Sequence, residues 1–387
     1  MKKVLLGTSA LALLGATSAA NAAEFDVKVG GYFEAYLAYA SSDINGFTGD
    51  DFDGVDIKQD AEINFKPSIT LDNGLKIGAD IQLEGNTSGD QIDESFLFIR
   101  GSFGEILLGN ENSAGYKMTY AAPDVTFLGV NSGSLGNFVP FSGGVSNDNN
   151  GDGDTADAGE NVNVGDDVFR GTLGSTFLEN ARNNDAARIT YFTPRFAGFQ
   201  LGLSYARDGL DDNVAQQNLN GNSLNNIFDV GANYVNSFGD FDVAVSGRWG
   251  IASNDVAGAD DPEVWGAGIN LGFAGVTVGG SFAEQNGSGA DDGTVYDAGI
   301  SYETGPWGFS FTYMHGENVD DENVATGSDE QLDQYLLGIS YKLAKGVSLN
   351  GFGAYVDFQE DAGDGGVGTQ GNDVDGFVVG TGIKISF

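Results

Sequence analysis

The chain has 387 residues, 56 of them acidic and 17 basic, for a formal charge of −39. That balance excludes nucleic acid as a partner, because phosphate binding needs clustered Lys and Arg. There is no cysteine, which excludes a disulfide framework, thiolate metal sites and thiol catalysis.

Residues 1–22 read as a secretory signal peptide. Lys2 and Lys3 form a basic start, Val4 to Ala16 an apolar run, and Ala20-Asn21-Ala22 a small-residue cleavage site. The mature chain, 23–387, is expected to begin at Ala23. No later stretch is long and apolar enough for a transmembrane helix, so life in a membrane requires a β-barrel.

From residue 25 onward apolar and polar residues alternate. In 25–41, Phe25, Val27, Val29, Phe33, Leu37 and Tyr39 share one face. In 56–71, Ile57, Ala61, Ile63, Phe65, Ile69 and Leu71 alternate with charged and polar residues. A period of two over such lengths predicts strands. Asp72-Asn73-Gly74 is a tight-turn signal, and the pattern resumes after it. Sixteen such runs follow one another, near 25–41, 56–71, 75–86, 91–102, 104–110, 186–194, 198–207, 226–237, 241–252, 263–273, 276–285, 294–303, 307–315, 332–343, 347–358 and 375–387. Phe96, Phe98, Phe352 and Phe358 blur the phase of the fourth and fifteenth runs.

The connections alternate between short turns and long acidic loops. That rhythm predicts an outer-membrane barrel with an apolar exterior and a wet lumen. A soluble sandwich would need protected edges, and a solenoid a fixed short repeat that is not found. The connection 111–185 is the outlier. A loop of that length is functional if it is ordered, and a lumen gives it a place to fold inward.

Several stretches together resemble the general porins of Gram-negative bacteria, most like the alphaproteobacterial branch. They are the signal peptide, "GSFGEILLGN" at 101–110, "RITYFTPRFAGFQLGLSY" at 188–205 and the terminal Phe387. The resemblance implies an all-β, 16-stranded antiparallel transmembrane β-barrel with a long inward-folded third loop, here 111–185. It implies a homotrimer that passes small hydrophilic solutes by diffusion. "AAPDVTF" at 121–127 resembles the stretch from which family loops present carboxylates, making Pro123 and Asp124 constriction candidates. The family's basic cluster on the facing wall would draw on Lys28, Lys58, Lys66, Arg100 and Arg188. Asn110 stands where family members often carry Arg, which weakens that cluster.

The sequence offers little for catalysis. His315 is the only histidine, and with no nucleophile motif beside it, it reads as a rim or interface residue. No cofactor is expected. One run invites a metal: Asp148, Asn150, Asp152 and Asp154 recur every second residue, with Gly153 at the sixth position. This matches the first half of an EF-hand-like Ca²⁺ loop, although the closing Glu is displaced by one, to Glu160. An acidic, solvated loop accounts for the same residues.

The acidic balance predicts cation selectivity. Two other functions stand beside the passive channel: a substrate-specific channel with a site at its constriction, and an adhesin built on long loops. In 376–387, Phe377, Val379, Ile383, Ile385 and Phe387 share a face that would meet lipid. This closing strand would pair with the first, and the terminal Phe387 resembles the signal read by the outer-membrane assembly machinery.

Overall fold

The computed structural model describes residues 25–44, 53–85, 91–139, 144–146, 161–163, 171–179, 184, 186–209, 224–256, 258–288, 292–319, 329–360 and 373–387. Residues 1–22, where a signal peptide is expected, lie outside the described residues, as do 148–160 and other parts of 111–185. The strands are β1 (Asp26–Ile44), β2 (Gly54–Thr70), β3 (Lys76–Glu84), β4 (Ile92–Gly101), β5 (Gly104–Asn110), β6 (Gly144–Ser146), β7 (Asn161–Asn163), β8 (Ala187–Phe192), β9 (Phe199–Asp208), β10 (Leu224–Phe238), β11 (Phe241–Asn254), β12 (Glu263–Phe273), β13 (Val276–Asn286), β14 (Gly293–Thr304), β15 (Trp307–Val319), β16 (Asp329–Ala344), β17 (Val347–Glu360) and β18 (Val374–Ser386). A single helical turn, α1 (Ala114–Met118), follows β5.

Sixteen of these strands close into one antiparallel barrel, and β6 pairs only with β7. Each barrel strand coincides with one alternating run of the sequence. The period of two sends one set of side chains outward, where Leu37, Phe65, Leu201, Ile269, Leu337 and Val379 are all exposed. A continuous apolar exterior of this kind is untenable in water and is the surface a barrel presents to lipid. Tyr39, Trp249, Trp265 and Trp307 also face outward, as interfacial girdle residues do. Tyr36 does not. It shares its face with Glu34, points inward, and donates its hydroxyl to Glu34 Oε1 at 2.6 Å.

Both rims follow from turn chemistry. At one rim, β10–β11 and β14–β15 turn through Gly239 and Gly305, whose φ values of +66° and +57° favour glycine. The longer connections, including 111–186, leave from the other rim. The seam joins the chain's two ends: β1 pairs with β18 from Tyr32↔Ser386 to Ile44↔Val374. Phe387 N donates to Gly31 O at 3.1 Å and Gly31 N to Phe387 O at 3.2 Å, so no strand edge is left in lipid.

The apolar core lies inside the barrel. Leu128, Leu135, Phe138, Val139, Leu173 and Leu178, from the segment after β5, pack against Met314, Leu332, Leu336, Phe352 and Phe358 of the wall. A second cluster joins Phe96, Phe98, Leu107 and Phe192 to Ala114 and Met118 of α1. The aromatic residues that blur the alternation are therefore inward-facing, at places where the inside of the barrel is dry.

Candidate functional site: the lumen and its inward segment

The lumen is shaped by how residues 111–139 and 171–179 lie on the wall. Irregular backbone inside a barrel needs partners for its N–H and C=O groups, and side chains of successive strands supply them. Ala114 N donates to Ser204 Oγ on β9 at 2.7 Å, and Gly115 N to Asp229 Oδ1 on β10 at 2.7 Å. Tyr120 N donates to Ser246 Oγ on β11 at 2.9 Å, and Ala122 N to Asp297 Oδ1 on β14 at 2.9 Å. Val125 N reaches Ser310 Oγ on β15 at 3.2 Å, and Val125 O accepts from Asn350 Nδ2 on β17 at 3.2 Å. The segment thus runs along the inner face from β9 round to β17.

The wall is cut to receive it. A Cβ at Gly268 would collide with the Tyr120 carbonyl oxygen, and one at Gly316 with the carbonyls of Thr172 and Leu173. At both positions the strand needs glycine for close approach rather than for an unusual φ.

Two buried carboxylates anchor the segment. Asp297 accepts from Ser281 N at 2.6 Å, Ser281 Oγ at 2.8 Å, Asn131 Nδ2 at 2.6 Å and Thr176 Oγ1 at 3.1 Å, besides Ala122 N. It joins β13 and β14 to both halves of the segment. Asp229 pairs with Arg248 at 2.5 Å, both side chains almost wholly buried. Arg248 Nη1 also donates to Leu178 O, and Glu179 Oε1 accepts from Ser113 N at 2.8 Å. Removing one partner of such a buried pair leaves an uncompensated charge, at a cost of about 3–5 kcal/mol.

The segment also reaches the wall of β1 and β18, where Tyr36, Ala38, Ala40 and Val378 share the apolar cluster of Leu128 and Phe138, and this side carries most of the lysines. Lys384 pairs with Glu34 at 2.8 Å, Lys66 with Asp80 at 2.8 Å, and Lys58 with Asp56 at 2.6 Å. Asp60 and Glu62 lie between Lys58 and Lys66 on the inward face of β2; among the described residues neither forms a close ion pair, and Lys66, itself bound to Asp80, acts on Glu62 only from further away. Asp60 accepts from the Tyr32 hydroxyl at 2.9 Å, and Glu62 from Asn64 Nδ2.

A closed, lipid-faced barrel with a wet inner wall and a segment folded across its interior is the architecture of a diffusion channel. The sequence profile described as Gram-negative porin matches residues 8–361. The chain belongs to the Gram-negative porin family. A porin of Rhodobacter capsulatus is 25% identical over 270 residues, 67% of this chain and 86% of that protein. The anion-selective porin of Comamonas acidovorans superposes with a TM-score of 0.58 at 20% identity, covering 94% of this chain and 100% of that one. The trimer form of Vibrio cholerae OmpT gives 0.55 at 13% identity, covering 94% and 99%. This porin is therefore an outer-membrane channel for passive diffusion and not an enzyme.

The residues singled out in the sequence fall in several places. Pro123 and Asp124 lie on the β14–β15 wall. Asp124 Oδ1 accepts from Ser310 Oγ at 2.9 Å, Thr126 N at 2.8 Å and Thr126 Oγ1 at 3.0 Å. Burial pushes the Asp124 carboxyl up, and the bonds from Thr126 and Ser310 pull against that shift. Lys58 also sits 5.9 Å from the Phe138 ring centroid, reaching the inward segment. Lys28 opposes Lys66 across β1 and β2 and lies 3.8 Å from Asp26. Arg100 pairs with Glu105 at 2.6 Å beside the short β4–β5 turn. Arg188, buried on β8, donates to Asn184 O at 3.1 Å and Ala186 O at 3.3 Å. Lys28, Lys58 and Lys66 share one side of the wall, while Arg100 and Arg188 stand apart.

His315 faces outward on β15, its Nδ1 3.1 Å from Asp333 Oδ1. Among the described residues no group of His, Asp or Glu is arranged to hold a metal ion, and Asp148, Asn150, Asp152, Asp154 and Glu160 lie outside them. Asp229, Arg248, Glu179 and Asp297 escaped the sequence reading. The only trace of Asp229, Arg248 and Asp297 there is a charged residue interrupting an otherwise apolar or small-residue strand, as in "VAVSGRWG".

Proposed function

We propose that the 111–185 connection forms the constriction, that Pro123 and Asp124 shape its edge, and that the pore favours cations. The observation that carries the ion preference is the pair Asp60 and Glu62. Each lysine among Lys58, Lys66 and Lys384 is matched to a carboxylate, so these two acids leave this side of the wall with an excess of negative charge. A narrow lumen with low-dielectric walls focuses such a field and enriches cations. The C. acidovorans relative bears the description anion-selective. Selectivity, however, follows pore-lining charge and not the shared fold.

The zero-current potential under a KCl gradient across a planar bilayer tests this reading. A potential of cation-selective sign is the expected result, and an anion-selective one overturns it. We also propose that the protein assembles as a homotrimer, supported by the trimer form of OmpT. Chemical cross-linking of detergent-extracted protein would give a ladder ending at three copies.

A further inference from the structure

The two ends of the inward segment meet at one point on the wall. Its beginning is tied by Gly115 N to Asp229 Oδ1 at 2.7 Å and by Ser113 N to Glu179 Oε1 at 2.8 Å. Its end is tied by Leu178 O, which accepts from Arg248 Nη1. Arg248 Nη2 closes the circuit on Asp229 Oδ2 at 2.5 Å. Every one of these groups is almost wholly buried, and a guanidinium is the side chain able to serve a carboxylate and a carbonyl in fixed geometry.

We propose that Arg248 is a positioning residue for permeation: it clasps the entry and exit of the inward segment together against β10 and β11, and so sets the width of the lumen. Beyond the clasp, Asp297 joins the two halves again further along, at Ala122, Asn131 and Thr176, while Ser246 and Ser310 hold only the first half. The clasp fixes the base of the loop, and a loop with a fixed base sweeps a smaller volume. In this it differs from a selectivity residue, because Arg248 does not face the permeating ion.

The inference rests on the reading of this segment as the constriction, so its test carries a readout that does not depend on conduction. Arg248→Met and Arg248→Lys are compared with wild type after selection for the folded, heat-modifiable band. Arg248→Met is expected to raise single-channel conductance by about 1.5-fold or more, with larger current fluctuations. Arg248→Lys, which keeps the charge opposite Asp229, is expected to recover at least half of that change.

Hydrogen exchange of peptides spanning 113–120 reads the clasp directly and is expected to quicken in Arg248→Met. Faster exchange with wild-type conductance upholds the clasp and overturns the constriction reading. Unchanged exchange in folded Arg248→Met overturns the clasp. If Arg248→Met does not assemble, Glu179→Gln weakens the same junction from the loop side. Unchanged exchange in that variant overturns the proposal equally.

Discussion

Asp124 and the pair Asp60–Glu62 divide two tasks that a single pore carboxylate would otherwise share. Asp124 spends its Oδ1 on Thr126 and Ser310, so its effect on the pore is one of shape. Because burial raises its carboxyl, the folded chain holds the proton more tightly than the unfolded chain. Its contribution is full below the unfolded carboxylate value and is lost as pH rises through the folded one. Asp124→Asn keeps the acceptor oxygen and should flatten that part of the stability profile, which lies above the ordinary carboxylate range, measured by thermal unfolding. At neutral pH its ion selectivity should match wild type. Asp60→Asn with Glu62→Gln should lower the cation-to-anion permeability ratio by roughly twofold or more, read from zero-current potentials.

At the level of elements, the seat of the inward segment is made of small wall residues. Gly268→Ala places a methyl group against the Tyr120 carbonyl, and overpacking of this kind costs about 1–3 kcal/mol. The expected result is a folded barrel with a lower denaturation temperature and altered conductance. At the seam, deleting Phe387 removes its reciprocal backbone bonds with Gly31. The yield of heat-modifiable barrel should fall, as seen by gel shift of unheated samples. The sequence showed all sixteen barrel strands because lipid and water impose opposite demands on alternate residues. Where the phase blurred, at Phe96, Phe98, Phe352 and Phe358, the inner face meets protein in place of water. That blur was a trace of the segment's seat. The Asp229–Arg248 pair was illegible for a different reason. It joins residues 19 apart on neighbouring strands, and nothing in local periodicity reveals cross-strand register. Lys28, Lys58 and Lys66 alternate with outward apolar residues in the sequence, but their acid partners depend on that same register.

For the whole molecule, the −39 charge acts through solvent and is screened by salt. Cation preference should be strongest in dilute KCl and decline toward about 1 M, where the Debye length shrinks to about 3 Å. A series of zero-current potentials at a constant KCl ratio checks this. The partners of the inward segment bear on how the pore comes into being. Gly115 reaches a residue 114 positions later, Ala122 one 175 later, and Val125 one 225 later. When the segment leaves the ribosome and crosses into the periplasm, none of its resting places yet exists. Contacts so distant in sequence are slow to form, and here they await β10 to β17. The segment can therefore settle into its final place only once strands up to β17 stand beside it.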